Sequence, residues 1–168
     1  MRVHRVFAII ASLASFGLVT CPVLAVNVGE PAPALSLPNA DGLPVKLEDL
    51  RGKVVYVDFW ASWCAPCRQS FPWMAEMQKK YSQAGFAVVA VNVDKNRADA
   101  NRFLQTTAAP FTVVFDPQGT TPAAWNVKAM PSSFLIDAKG KVALVESGFR
   151  DDRKSEIESR ITSLVGPK

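Results

Sequence analysis

The chain is poor in the groups on which much enzyme chemistry rests. It holds one histidine, His4, and three cysteines, Cys21, Cys64 and Cys67. His4 and Cys21 lie within the first 25 residues, which read as a targeting segment, so the rest of the chain keeps two cysteines and no histidine. That excludes a Cys–His dyad, a Ser–His–Asp triad and a zinc site with four Cys or His ligands. A large charge of one sign is also lacking. Arg2 and Arg5 are two of the 19 basic residues, and the rest of the chain carries 17 basic against 15 acidic. No basic run is interleaved with aromatics, so nucleic acid is not an expected partner. Beyond position 25 no apolar run is long enough to span a bilayer. The length of 168 residues leaves room for one domain and a short leader. With 49% hydrophobic and 20% charged residues, a packed core is within reach.

The first residues have the three parts of a secretory signal. Met1 to Arg5 is cationic, Val6 to Val19 is apolar, and Val23-Leu24-Ala25 offers small residues for a peptidase. The apolar run is 14 residues, about 21 Å as a helix, against about 30 Å for a bilayer core. Cleavage after Ala25 is expected, dividing the chain into a signal, 1–25, and one domain, 26–168. An uncleaved anchor and a lipoprotein acylated at Cys21 are the alternatives, and Thr20 fits the second poorly. An exported location follows from any of the three.

Ala34 to Leu37 and Val45 to Leu47 alternate apolar and polar residues around the turn sequence Asn39-Ala40-Asp41-Gly42, which predicts a hairpin. Val54 to Trp60 is dense in β-branched and aromatic residues, as a strand buried on both faces would be. A helix is predicted from Pro66 to Ser82, ended by Gly85, and a second buried strand over Phe86 to Val93. A helix over Arg97 to Thr106 and a short strand over Thr112 to Phe115 come next. Ser132 to Asp137 and Lys141 to Glu146 predict a second hairpin. Asp151 to Val165 predicts a closing helix with Ile157, Ile161, Leu164 and Val165 on one face. This order argues for an α/β fold with a mixed sheet.

Trp63-Cys64-Ala65-Pro66-Cys67 carries the chemistry. A Cys-x-x-Cys pair can be half a zinc site, a structural bridge or a redox couple. Zinc needs two further soft ligands, which the domain lacks. A bridge closing so small a loop constrains the unfolded chain little. Its position, after a buried strand and at the opening of a helix, suits redox use. Unpaired amides and the positive end of the helix dipole stabilise a thiolate there, and Pro66 fits the first turn. Cys64 is then the exposed nucleophile and Cys67 the resolving thiol.

The segment Val57 to Cys67 resembles the active-site segment of thioredoxins, Met130-Pro131 resembles their cis-proline element, and Pro72 their helix-kinking proline. The resemblance covers about Gly29 to Val165. The extension Val28 to Pro33, and the 37 positions from Asp94 to Pro131, draw it toward the exported TlpA/ResA/CcmG-like branch. This implies a thioredoxin fold with an N-terminal hairpin and an inserted helix and strand. It also implies thiol–disulfide exchange in the reducing direction, for example in cytochrome c maturation. By the same resemblance Asp58 is a buried acid that takes or gives the proton of Cys67; the alternative is a strand-edge aspartate in water. Thioredoxins pair this acid with a lysine on the neighbouring strand, and Phe86 to Val93 has none. Pro131 is implied to be cis, its ring against the disulfide, with the Met130 backbone pairing to substrate. Trp63 is either core packing or one wall of a partner surface.

No cofactor or metal is implied. The expected partners are disulfide-containing exported proteins and a membrane electron donor, and a monomer is the default state. A thiol peroxidase of peroxiredoxin type is one rival, because the entry segment resembles the start of those enzymes. They carry Thr three residues before the reactive cysteine, where this chain has Ala61. A copper(I)-binding module is the other, since two thiolates suit a soft ion.

Overall fold

A computed structural model describes residues 26–166; the expectations for the signal segment, with His4 and Cys21, lie outside the described residues. The chain opens on a hairpin of β1 (Ser36–Pro38) and β2 (Pro44–Lys46), paired at Leu37 and Val45. The Asn39 carboxamide closes its turn by accepting from the amides of Asp41 and Leu43, both at 2.9 Å. The Leu47 amide still donates across the hairpin to the Leu35 carbonyl at 3.0 Å, and from Leu47 to Leu50 the chain winds into a 3-10 turn that leads into the sheet.

β3 (Val54–Trp60) is buried at all seven positions. It runs parallel to β4 (Phe86–Asn92), and β4 runs parallel to β5 (Thr112–Phe115). On its other side β3 pairs antiparallel with β6 (Ser132–Ile136), which pairs antiparallel with β7 (Val142–Ser147). The sheet order is β5-β4-β3-β6-β7. The helices are α1 (Ala65–Tyr81), α2 (Arg97–Thr106), α3 (Thr120–Ala124) and α4 (Lys154–Val165). This is the expected mixed α/β architecture with its N-terminal hairpin.

Strand alternation divides the core in two. Val55, Val57 and Phe59 of β3 join Leu35, Leu37, Trp125 and Phe134 on one side. Val54, Tyr56 and Trp60 join Cys64, Cys67, Phe71, Met74, Ile157 and Ile161 on the other, under α1 and α4. By the same alternation Asp58 faces the α1 side.

The differences from the expected elements lie at ends and in short pieces. The Asp137 carboxylate accepts from the amides of Lys139 and Lys141, so the end residues Asp137 and Lys141 close the β6–β7 turn and lie outside the two strands. α1 continues through Pro72. A 3-10 turn, Asp151–Arg153, precedes α4. α3 was not anticipated, because five residues are too few for a helical period to show. Its start is held by buried Asp116, which accepts from the Thr121 amide at 2.7 Å. Its end delivers Trp125 between Phe59 and Phe134, at ring distances of 5.7 and 4.9 Å. Among the described residues no helix is long and apolar enough to cross a membrane.

Candidate active site

The parallel strands β3 and β4 end side by side, and the Val93 amide donates to the Trp60 carbonyl at 3.0 Å. Ligand sites of α/β sheets gather at such carboxyl ends. The chain leaving β3 turns through Ala61 to Cys64, with the Cys64 amide donating to the Ala61 carbonyl at 3.1 Å. Cys64 then caps α1, its sulfur accepting from the Cys67 amide at 3.3 Å, with Pro66 in the first turn. That contact favours negative charge on Cys64 once the bridge opens.

Cys64 and Cys67 are disulfide-bonded, with Cα atoms 5.3 Å apart. Cys67 is fully buried and Cys64 is 5% exposed. Cys64 is therefore the outer thiol, but the expectation of an exposed nucleophile needs correction. Trp63, Ala65 and Pro66 around it are exposed, while its own sulfur is engaged in the bridge and held by an amide.

Asp94 secures the turn, a role that sequence reasoning missed. Its carboxylate, 4% exposed, accepts from the Ser62 amide at 2.9 Å and from the Ser62 hydroxyl at 3.1 Å. Asn92 donates to the same carboxylate at 2.8 Å and accepts from the Asp94 amide at 3.2 Å. The available signal was its position two residues past a buried parallel strand.

Asp58 is fully buried on the central strand, so the water-exposed alternative is excluded. Ser133 of β6 lies opposite it, and the Ser133 hydroxyl donates to Asp58 Oδ1 at 2.7 Å. Oδ2 has no hydrogen-bond partner among the described residues. Burial pushes the Asp58 carboxyl up to about 7, and the Ser133 bond opposes that rise. Burial, and then the charge of Asp58, push the Tyr56 hydroxyl upward. On the β4 side the residue opposite Asp58 is Ala90, so no lysine stands there.

The Met130–Pro131 peptide bond is cis, as the resemblance implied. Pro131 is buried and its carbonyl accepts from the Gly148 amide at 2.7 Å. Trp63 is 68% exposed, so it is not core packing. Trp63 and Met130 line one open cleft of about 480 Å³ with Val93, Pro122, Val127 and Lys128. Glu30, Glu48 and Asp49 are exposed. Among the described residues no cluster of three or more His, Cys, Asp or Glu could hold a metal ion.

A Cys-x-x-Cys disulfide at the head of a helix, fed by the central strand of this sheet, defines a thioredoxin-like thiol–disulfide oxidoreductase. The comparisons with known proteins narrow the class. The Redoxin family matches residues 27–161. The thiol-disulfide oxidoreductase ResA of Bacillus subtilis is 36% identical over 123 residues, spanning 73% of this chain and 69% of that protein. ResA of Geobacillus thermodenitrificans is 36% identical over 137 residues, spanning 80% and 79%. A thiol:disulfide interchange protein of DsbE type from Chlorobium tepidum has a structure that superposes with a TM-score of 0.82. It is 54% identical and covers 84% of this chain and 100% of that one. The chain belongs to the Redoxin family, among the thiol–disulfide oxidoreductases of the ResA/CcmG type.

Proposed function

We propose that the protein works outside the cytoplasm as a reductant of disulfides in partner proteins, cytochrome c maturation being one process that needs such a step. The observation that carries this reading is the Cys64–Cys67 pair at the head of α1, with only Ala65 and Pro66 between the two cysteines in the chain and a buried carboxyl, Asp58, on the same face of β3 as Tyr56 and Trp60.

In the forward reaction the Cys64 thiolate attacks one sulfur of the partner disulfide. A mixed disulfide forms and the other partner sulfur leaves as a thiolate. Cys67 gives its proton to Asp58 and attacks the Cys64 sulfur. The Cys64–Cys67 bridge closes, and the partner's second sulfur leaves and is protonated. The partner gains two electrons and the protein loses two. Met130, through its backbone, and Pro131 and Trp63, through their faces, hold the partner segment beside Cys64. Re-reduction calls for a membrane-bound dithiol donor.

The test is a trap in the native host. Cys67→Ala should accumulate disulfide adducts on Cys64 that mass spectrometry identifies, and further change of Cys64→Ser should abolish them. A Cys67→Ala protein that carries no adduct under conditions where its own thiol is intact would sink the reading. Export has a separate check. The intact mass of the exported protein should correspond to a first residue of Val26, and retention of residues 1–25 would make the protein tethered instead.

A further inference from the structure

Asp58 lies between two neighbours in register, Ala90 on β4 and Ser133 on β6. The first can offer nothing to a carboxylate. The second is 2% exposed, stands two residues after the cis-proline and donates its hydroxyl to Oδ1. We propose that Ser133 is a positioning residue of the redox site: its hydroxyl holds Oδ1 of Asp58 and so reserves Oδ2 as the atom that takes the Cys67 proton. This rests on the proton-carrying role proposed above for Asp58.

The separation of 2.7 Å is that of a strong O–H···O⁻ bond. It fixes which carboxylate oxygen is occupied, and it stabilises the anion that burial disfavours. One other group on this face, Tyr56, also meets the Ser133 hydroxyl. Tyr56 lies two residues back on β3; burial, and then the charge of Asp58, push its hydroxyl upward while its hydrogen bond with Ser133 opposes that, so the anion on this face is left to Asp58. Glu146 of β7 lies opposite Ser133 but is ion-paired with Arg153, whose Nε lies 3.4 Å from Glu146 Oε2. From α1 the face receives Cys64 and Cys67, and from α4 it receives apolar Ile157 and Ile161. A lysine would supply a charge and could itself exchange a proton. A serine supplies one neutral donor on a short, buried side chain, so Asp58 is tuned by geometry, with no counter-ion beside it among the described residues.

Stopped-flow reaction of the reduced protein with dithionitrobenzoate isolates the step. The first thionitrobenzoate leaves when Cys64 attacks, and the second when Cys67 closes the bridge. The same variants are titrated at the Asp58 carboxyl carbon by NMR. Ser133→Ala should raise the Asp58 midpoint by about one pH unit, with the second phase following it and slowing about fivefold at neutral pH. Ser133→Thr, which keeps the donor, should preserve both midpoints, whereas Ser133→Val, of the same shape, should shift them as alanine does. The Thr–Val comparison serves even if the alanine variant folds poorly. An Asp58 midpoint unmoved by loss of the hydroxyl, or one equally displaced in Thr and Val, overturns the inference. A carboxyl midpoint that moves while the second phase does not would remove Asp58 from the proton path and the inference with it, and that pattern separates the two failures.

Discussion

Asp58→Asn is expected to slow closure of the Cys64–Cys67 bridge about tenfold to a hundredfold near neutral pH, and to make the oxidised protein more stable at the same pH. The two effects have one origin. Burial lifts the carboxyl to about 7 from its ordinary 3.8, and a carboxyl that titrates near neutrality can both accept and return a thiol proton. The same shift is a penalty on the fold. Because the folded-state value is raised, the native protein binds the proton more tightly than the unfolded chain. Below about 4 both states are protonated and nothing is lost. As the pH rises from about 4 to about 7 the unfolded chain ionises first and stability falls, and above about 7 the loss is complete. A shift of about three units corresponds to about 4 kcal/mol in a fully buried group. Asparagine does not ionise and can still accept from Ser133, though its amide nitrogen lacks an evident acceptor, which costs about 1–3 kcal/mol. The variant should therefore gain stability relative to the native protein as the pH is raised through this window, by about 1–3 kcal/mol net above it. Urea unfolding at both ends of the window checks this. A stability difference between variant and native protein that does not change with pH would mean that Asp58 does not ionise in the fold as described, and an unaltered pH–rate profile would remove its catalytic part.

The features that could be read in the sequence were those written in a few adjacent residues. Val54 to Trp60 announces a central strand because seven consecutive residues suit burial, and all seven are buried. Cys64 to Cys67 announces a redox couple because the strand before it and the helix after it are local. What escaped reading is long-range. Ser133 reaches Asp58 across 75 positions, and Asp94 reaches Ser62 across 32. Serine and aspartate at such places look like any others until the sheet brings them into register. The missing lysine opposite Asp58 was visible as an absence, but what replaces it was not, since the replacement comes from the opposite neighbour in the sheet. The slight exposure of Cys64 escaped for a related reason: the sequence places it at a helix start, while Trp63, Ala65 and Pro66 around it take most of the solvent contact.

The reduction potential of the Cys64–Cys67 couple is expected below about −200 mV, toward thioredoxin at about −270 mV and away from the oxidant DsbA at about −120 mV. The potential measures how well the protein tolerates the reduced form, in which Cys64 carries negative charge. Two features favour that charge, the Cys67 amide on the Cys64 sulfur and the head of α1. The residues between the cysteines add nothing to them, since Ala65 has no polar side chain and Pro66 has no N–H. A histidine in this dipeptide would add a donor or a positive charge, and strongly oxidising relatives of the fold carry one there. Asp58 acts in the opposite sense. Once ionised, it is a buried anion on the same face of the sheet with no cation opposite it on β4, so it disfavours a second negative charge and stabilises the bridge. Pro66→His should therefore raise the potential by at least about 30 mV, equivalent to about 1.4 kcal/mol for two electrons. Equilibration against glutathione buffers, followed by the fluorescence of Trp60 and Trp63 or by thiol alkylation, gives both values. A native potential near that of DsbA, with no response to the histidine, would mean that the protein donates disulfides to its partners.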